Sequence, residues 1–149
     1  MAYQAKRKAI YTEDFELTEE NGTIVHTLHV ALDPDNIARK LSEKHIALVR
    51  ALKDVQSFKQ SASEEEKARG LEVLGRTVTD LLEAVFGPED AETIIKFYDN
   101  RYVEMCREVV PFITEVVIPR VREQARNNKK AILSSYNRSQ RRLLRGRKL

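Results

Sequence analysis

The chain has 149 residues, which is the size of one domain and enough to bury a substantial core. Its composition of 42% hydrophobic and 33% charged residues, with five glycines, excludes collagen-like and Gly-rich linker proteins. A single cysteine excludes internal disulfides and cysteine-rich zinc sites. No apolar segment follows the basic N-terminus and none is long enough to span a bilayer, so we expect a cytoplasmic protein.

The net charge of +3 conceals an uneven distribution. From Lys129 to Leu149 the chain holds eight basic residues and no acidic one, whereas the remainder holds 18 basic and 23 acidic residues. Residues 129–149 are termed the basic arm, and we expect a single globular domain over residues 1–128. A separate block of one charge is typical of a segment that binds a partner.

Residues 9–32 are predicted to form a β-hairpin. Asn21-Gly22 is typical of a two-residue type I′ turn, because both residues tolerate a positive φ. This turn pairs residues whose numbers sum to 43, so that Phe15 faces Leu28 and Leu17 faces His26. One face is then mostly apolar, and we expect it to pack on helices.

The rest of the domain is predicted to be a bundle of about four helices over residues 34–128, which makes the fold class mainly α. Asp33-Pro34 is typical of a helix start, and Ser63 with Glu66 fits a capping box for a second helix. Gly87 suits the end of that helix, and Pro88 opens a third. The buried stripe of the second helix is expected to comprise Leu71, Leu74, Val78, Leu81, Leu82 and Val85.

A long fourth helix is predicted from about Arg101, kinked or divided by Pro111 and Pro119. Its apolar residues occur in runs, which places it either at the centre of the bundle or against another chain. The candidate partner-binding residues in this helix are Phe112, Ile113, Val116, Val117 and Ile118.

No residue pattern indicates catalysis, a metal site or a cofactor. His26 and His29 leave opposite faces of one predicted strand, and His45 lies on a helix, so we expect partly buried structural histidines. Cys106 is expected to be a small core residue. The acidic pairs fall at helix starts and beside a turn, where helix dipoles account for them. We therefore expect a protein that is not an enzyme.

The basic arm contains Arg138, Arg141, Arg142 and Arg145, for which three interpretations stay open. These arginines are candidates for phosphate contacts with nucleic acid, although only Tyr136 is available to stack on a base. They are also candidates for binding an acidic partner protein. The third interpretation is a solubilising arm with no partner.

The layout resembles the tail assembly chaperones of long, non-contractile-tailed phages and prophages. The similarity spans roughly residues 9–125. It depends on the second helix ending in Leu81–Gly87, the following Pro88-Glu89-Asp90, Ile94 and Tyr98, and later Val110-Pro111-Phe112-Ile113 with Val116 and Val117.

This resemblance implies a non-enzymatic role in the cytoplasm of the host cell. Such proteins bind the tape measure protein, keep it soluble and help to recruit tail tube subunits. The expected partners are therefore the tape measure protein and the tail tube protein, with no membrane. Self-association and a nucleic-acid-binding role for the basic arm stay open as alternatives.

Overall fold

The computed structural model describes residues 2–7, 10–58 and 62–146, and only the backbone for residues 139 and 141–146. An N-terminal hairpin is followed by helices, so the prediction of a mainly α fold is confirmed. In chain order the elements are β1 (Tyr11–Thr18), β2 (Ile24–Leu32), α1 (Pro34–Gln56), α2 (Glu64–Phe86), α3 (Pro88–Phe97), α4 (Tyr102–Glu108), a π-helical segment (Phe112–Val117) and α5 (Ile118–Gly146).

The hairpin has the predicted pairing but not the predicted turn. Strand partners run from Tyr11 opposite Leu32 to Leu17 opposite His26, as expected. The Gly22 N–H donates to the Glu19 carbonyl at 2.9 Å, and Gly22 alone in the turn has a positive φ, of 87°. The type I′ prediction is therefore wrong: the loop has three residues and ends in glycine.

A bulge in β2 explains why the pairing is nevertheless correct. Thr18 pairs with Ile24, one residue out of the predicted register, because a three-residue loop shifts the partner by one. The irregularity next to Leu17 inserts an extra residue, Val25, and restores the register for the rest of the hairpin. Residue 9, the predicted start of the hairpin, lies outside the described residues.

The predicted helix caps are present. Asp33 accepts from the N–H of Asp35 at the start of α1, and Ser63 accepts from the N–H of Glu66 at the start of α2. Gly87, with φ of 86°, ends α2. The buried stripe of α2 is as predicted except at Leu71, which is 50% exposed because it lies beside Tyr102 and Val103 at the rim of a shallow depression.

The core lies between the apolar face of the hairpin and the helices. Helix α2 contacts β2, α3 and α4, and α1 packs against both α2 and α5. Phe15, Phe86 and Phe112 form an aromatic cluster that joins β1, α2 and the π-helical segment, with ring centroids 4.7 to 6.1 Å apart. Tilted and offset ring contacts of this kind stabilise beyond the area they bury.

The predicted fourth helix is divided, as its prolines suggested. Helix α4 ends at Glu108, and the chain becomes helical again at Val110. Pro111 has no N–H to donate and its ring crowds the preceding turn. Before Pro119 the turns widen, and the Ile118 N–H donates to the carbonyl of Ile113, five residues back. Such π-helical turns are rare within helices and are one of the recognised causes of a kink.

Candidate protein-binding surfaces

The side chains that most often form catalytic or metal sites are not grouped together among the described residues. His26 and His29 of β2 are both exposed, which corrects the expectation that they are partly buried. The His26 ring has an edge contact with Phe97 of α3, with ring centroids 6.5 Å apart, and this contact leaves it exposed. His29 pairs across the strands with Asp14, with Nδ1 and Oδ1 2.6 Å apart. Only His45 is half-buried. Among the described residues, no three His, Cys, Asp or Glu side chains are grouped to hold a metal ion.

Cys106 lies on α4 and is half-buried against the core. Burial raises the pKa of its thiol, which keeps the sulfur protonated at neutral pH. A reactive cysteine needs the opposite, a lowered pKa. The environment of Cys106 is therefore that of a packing residue.

The π-helical segment is part of the core. Ile113 and Val117 are fully buried and Ile118 is 4% exposed. Phe112 and Val116 are half-buried, and Phe112 belongs to the aromatic cluster with Phe15 and Phe86. In this conformation a partner would reach only the outer edges of Phe112 and Val116. The sequence placed this helix either at the centre of the bundle or against another chain, and its observed burial fits the central position.

The first part of α5 is held against the body by polar contacts. Arg120 donates to Glu13 Oε2 at 2.9 Å, and Arg122 Nη2 donates to the Ser42 hydroxyl at 2.7 Å. Further along, the Asn128 amide donates to the Asp35 carboxylate at 3.3 Å. Val121 is buried between these contacts. Residues 118–128 therefore form the part of α5 that belongs to the domain.

The basic arm continues as helix beyond the body. The structure describes it as far as Gly146, and every described side chain from residue 129 onwards is exposed. Ile132, Leu133 and Tyr136 are 65%, 50% and 60% exposed. A free helix of this length is only marginally stable in water, and apolar residues on one side of it are typical of a helix that binds a partner. These three residues are termed the arm stripe.

The arginines of the basic arm recur at helical spacing. Positions 138, 141, 142 and 145 follow the i, i+3, i+4, i+7 pattern of a single helix face. Counted at 100° per residue, that face is opposite to the arm stripe. The Arg138 side chain is exposed, whereas the side chains of Arg141, Arg142 and Arg145 lie outside the described set. Lys148, also in the basic arm, lies outside the described residues.

A second surface, not foreseen from the sequence, is an open groove of about 600 Å³ between the hairpin turn and α4. It is termed the acidic groove. Five glutamates and one arginine line it together with Thr18 and two aromatic residues: Glu16, Glu19, Glu20, Glu104, Glu108, Arg101, Phe97 and Tyr98.

The charges in the acidic groove are only partly compensated. Arg101 lies 3.1 Å from Glu104 and 3.5 Å from Asp99. Burial is the main cause that raises the pKa of Tyr98, and the nearby carboxylates of Glu108 and Glu104 raise it further. The sequence offered no signal for this groove, because its glutamates come from segments more than 80 residues apart.

Comparison with protein-family models, with curated proteins and with solved structures yields no significant match. Within the described residues, no helix combines the length and apolar character required to cross a bilayer. The candidate surfaces among the described residues are the arm stripe, on a helix whose opposite face holds the arginine positions, and the acidic groove.

Proposed function

We propose that this protein is a non-enzymatic tail assembly chaperone of a long, non-contractile-tailed phage, acting in the host cytoplasm. In this role it binds the tape measure protein, keeps it soluble and helps to recruit tail tube subunits. The proposal rests on the resemblance of residues 9–125 to that family, together with an arm suited to holding a helical client.

The observation that carries the proposal is the exposure of the arm stripe. Ile132, Leu133 and Tyr136 lie on a helix whose described side chains are all exposed beyond residue 128. A long client with exposed apolar helices is bound by packing apolar side chains of one helix against another. The site of client binding is therefore proposed for the arm stripe, not for the buried residues of the π-helical segment.

The test is co-expression with the very long protein that the family resemblance predicts to be encoded next to this gene. We expect the client to be insoluble alone, and soluble and co-purifying when this chain is present. Ile132→Asp with Tyr136→Asp should abolish both effects. Ser134→Asp with Asn137→Asp adds the same charge to other faces of the arm and should retain them.

A second candidate function, nucleic-acid binding, is favoured by the arginine spacing at positions 138, 141, 142 and 145. Phosphate contacts lose affinity steeply as salt rises, whereas apolar docking does not. A purified protein that carries nucleic acid removable by salt, and that leaves the client insoluble, would replace the chaperone proposal with this one.

A further inference from the structure

The basic arm and the acidic groove lie at opposite ends of the molecule. Helix α5 runs antiparallel to α1, because Arg122 contacts Ser42 whereas Asn128 contacts Asp35, close to the start of α1. The basic arm therefore extends past the N-terminal end of α1. The groove lies at the turn of the hairpin, and the length of β1 places that turn roughly 27 Å from the strand's first residues.

An arm cannot enter the groove of its own molecule in this structure. Helix α5 is continuous from Ile118 to Gly146, and its first part is fixed beside the start of β1 by the contact of Arg120 with Glu13. Reaching the groove would require α5 to break and reverse. Contact between arm and groove must therefore join two molecules.

The two surfaces are opposite in net charge, since five glutamates and one arginine line the groove, and they are similar in spacing. Glu104 and Glu108 are four residues apart on α4, about 6 Å along the helix axis, and line the same side of the groove. Positions 138 and 142, and positions 141 and 145, repeat with the same spacing on the arginine face. Guanidinium groups bind carboxylates through two parallel hydrogen bonds, which favours arginine over lysine at such a contact.

We propose that the arginine face of the basic arm of one molecule binds the acidic groove of a second copy. The contact uses a different surface on each partner, so repeating it builds an open chain or a closed ring. The arm stripe lies on the other side of the helix and stays accessible. This inference goes beyond the proposed function, because it concerns the chain alone and involves no client.

The experiment is sedimentation velocity of the purified 149-residue chain at low salt over a range of concentrations. We expect larger species to form as concentration rises and to dissociate on addition of salt, because the contact is ionic and partly exposed. Glu104→Lys with Glu108→Lys should give a monomer, as should Arg138→Glu with Arg142→Glu. An equimolar mixture of the two variants should restore the larger species, since each supplies the charge that the other lacks.

Glu43→Lys with Glu65→Lys changes the net charge equally outside the groove and should associate like the unmodified chain. The arm substitutions lie beyond residue 128, after the last residue of α5 described as buried, so their effect does not depend on folding of the body. A chain that stays monomeric at all concentrations would overturn the proposal. So would association that persists in the arm variant, or two variants that each become monomeric and fail to associate when mixed.

Discussion

Tyr11 links the hairpin to α5 through a shared carboxylate. Its hydroxyl donates to Glu13 Oε2 at 3.2 Å, and Arg120 donates to the same oxygen at 2.9 Å. Burial, followed by the charge of Glu13, raises the pKa of Tyr11 from 10.0 to about 12. The folded protein therefore holds this phenol in its neutral form well above the pH at which the unfolded chain ionises it.

This arrangement predicts a loss of stability in alkali. Between pH 10 and about 12 the unfolded chain releases the Tyr11 proton while the folded chain retains it, so the free energy of unfolding falls as pH rises. Absorbance titration of tyrosinate should show a component near pH 12 that disappears in Tyr11→Phe. Tyr3→Phe removes a phenol that is 96% exposed and should leave that component unchanged. A Tyr11→Phe titration curve that retains the component would refute the assignment.

Gly75 permits the close approach of Tyr102 to α2. A Cβ placed at Gly75 would lie 3.0 Å from the Tyr102 ring. We expect Gly75→Val to lower the free energy of unfolding by about 1–3 kcal/mol through overpacking, measured by urea denaturation. Ala68→Val, at an exposed position of the same helix, should cost only about 0.5 kcal/mol through helix propensity. Valine has a higher helix propensity than glycine, so a Gly75→Val variant at least as stable as the unmodified chain would show that the ring does not constrain Gly75.

Among single elements, the hairpin turn is informative because Asn-Gly is compatible with two loop geometries. One is the predicted two-residue type I′ turn, and the other is the observed three-residue loop. Gly22 has a positive φ and open space around it. Asn21 does not have a positive φ, and its side-chain Oδ1 accepts a hydrogen bond from the Thr23 N–H at 2.9 Å. We expect Gly22→Ala to destabilise the protein by roughly 1–2 kcal/mol through backbone strain alone.

The neighbouring substitution Asn21→Gly should also destabilise, because it removes the side-chain acceptor and adds freedom to the unfolded chain. In a type I′ turn, by contrast, glycine at this position would relieve strain and raise stability. Thermal unfolding of the two variants therefore distinguishes the observed loop from the predicted one, and a more stable Asn21→Gly would contradict the structure.

The basic arm is an element that the body does not require. Described side chains beyond residue 128 contact solvent, and Val121 is the last residue of α5 that is buried among those whose side chains the structure describes. We expect a chain ending at residue 128 to keep its thermal midpoint within a few degrees while losing helical signal by circular dichroism. A chain ending at Arg120 is the contrasting case, because it loses Val121 from the core and should be strongly destabilised. A large drop in midpoint for the 128-residue chain would show that the basic arm packs on the body.

At the scale of the whole molecule, local signals predicted the elements well. Caps at Asp33 and Ser63, the glycine ending α2 and strand alternation each act within a few residues, and all are observed. The loop length could not be predicted, because Asn-Gly satisfies both a two-residue turn and the glycine of a three-residue loop. The division of the fourth helix was foreseen from its prolines, but the π-helical turns were not.

The binding surfaces depend on tertiary arrangement and were harder to predict. The apolar runs around Ile113 and Val117 gave no indication of whether neighbours would cover them, and in the structure both residues are fully buried. The acidic groove joins Glu19 to Glu104 across the chain, which no local pattern reveals. Only the basic arm could be identified directly, because its charge is contiguous in the sequence.

The central claim is that the basic arm, through its arm stripe, is the element that binds a client. Hydrogen exchange of the 149-residue chain with and without the tape measure protein tests it most directly. Amides of residues 129–146 should exchange rapidly in the free chain, since an isolated helix opens readily, and become protected in the complex. Amides of the π-helical segment should exchange slowly in both states. Client-dependent protection confined to other parts of the chain, with none in the basic arm, would contradict the account.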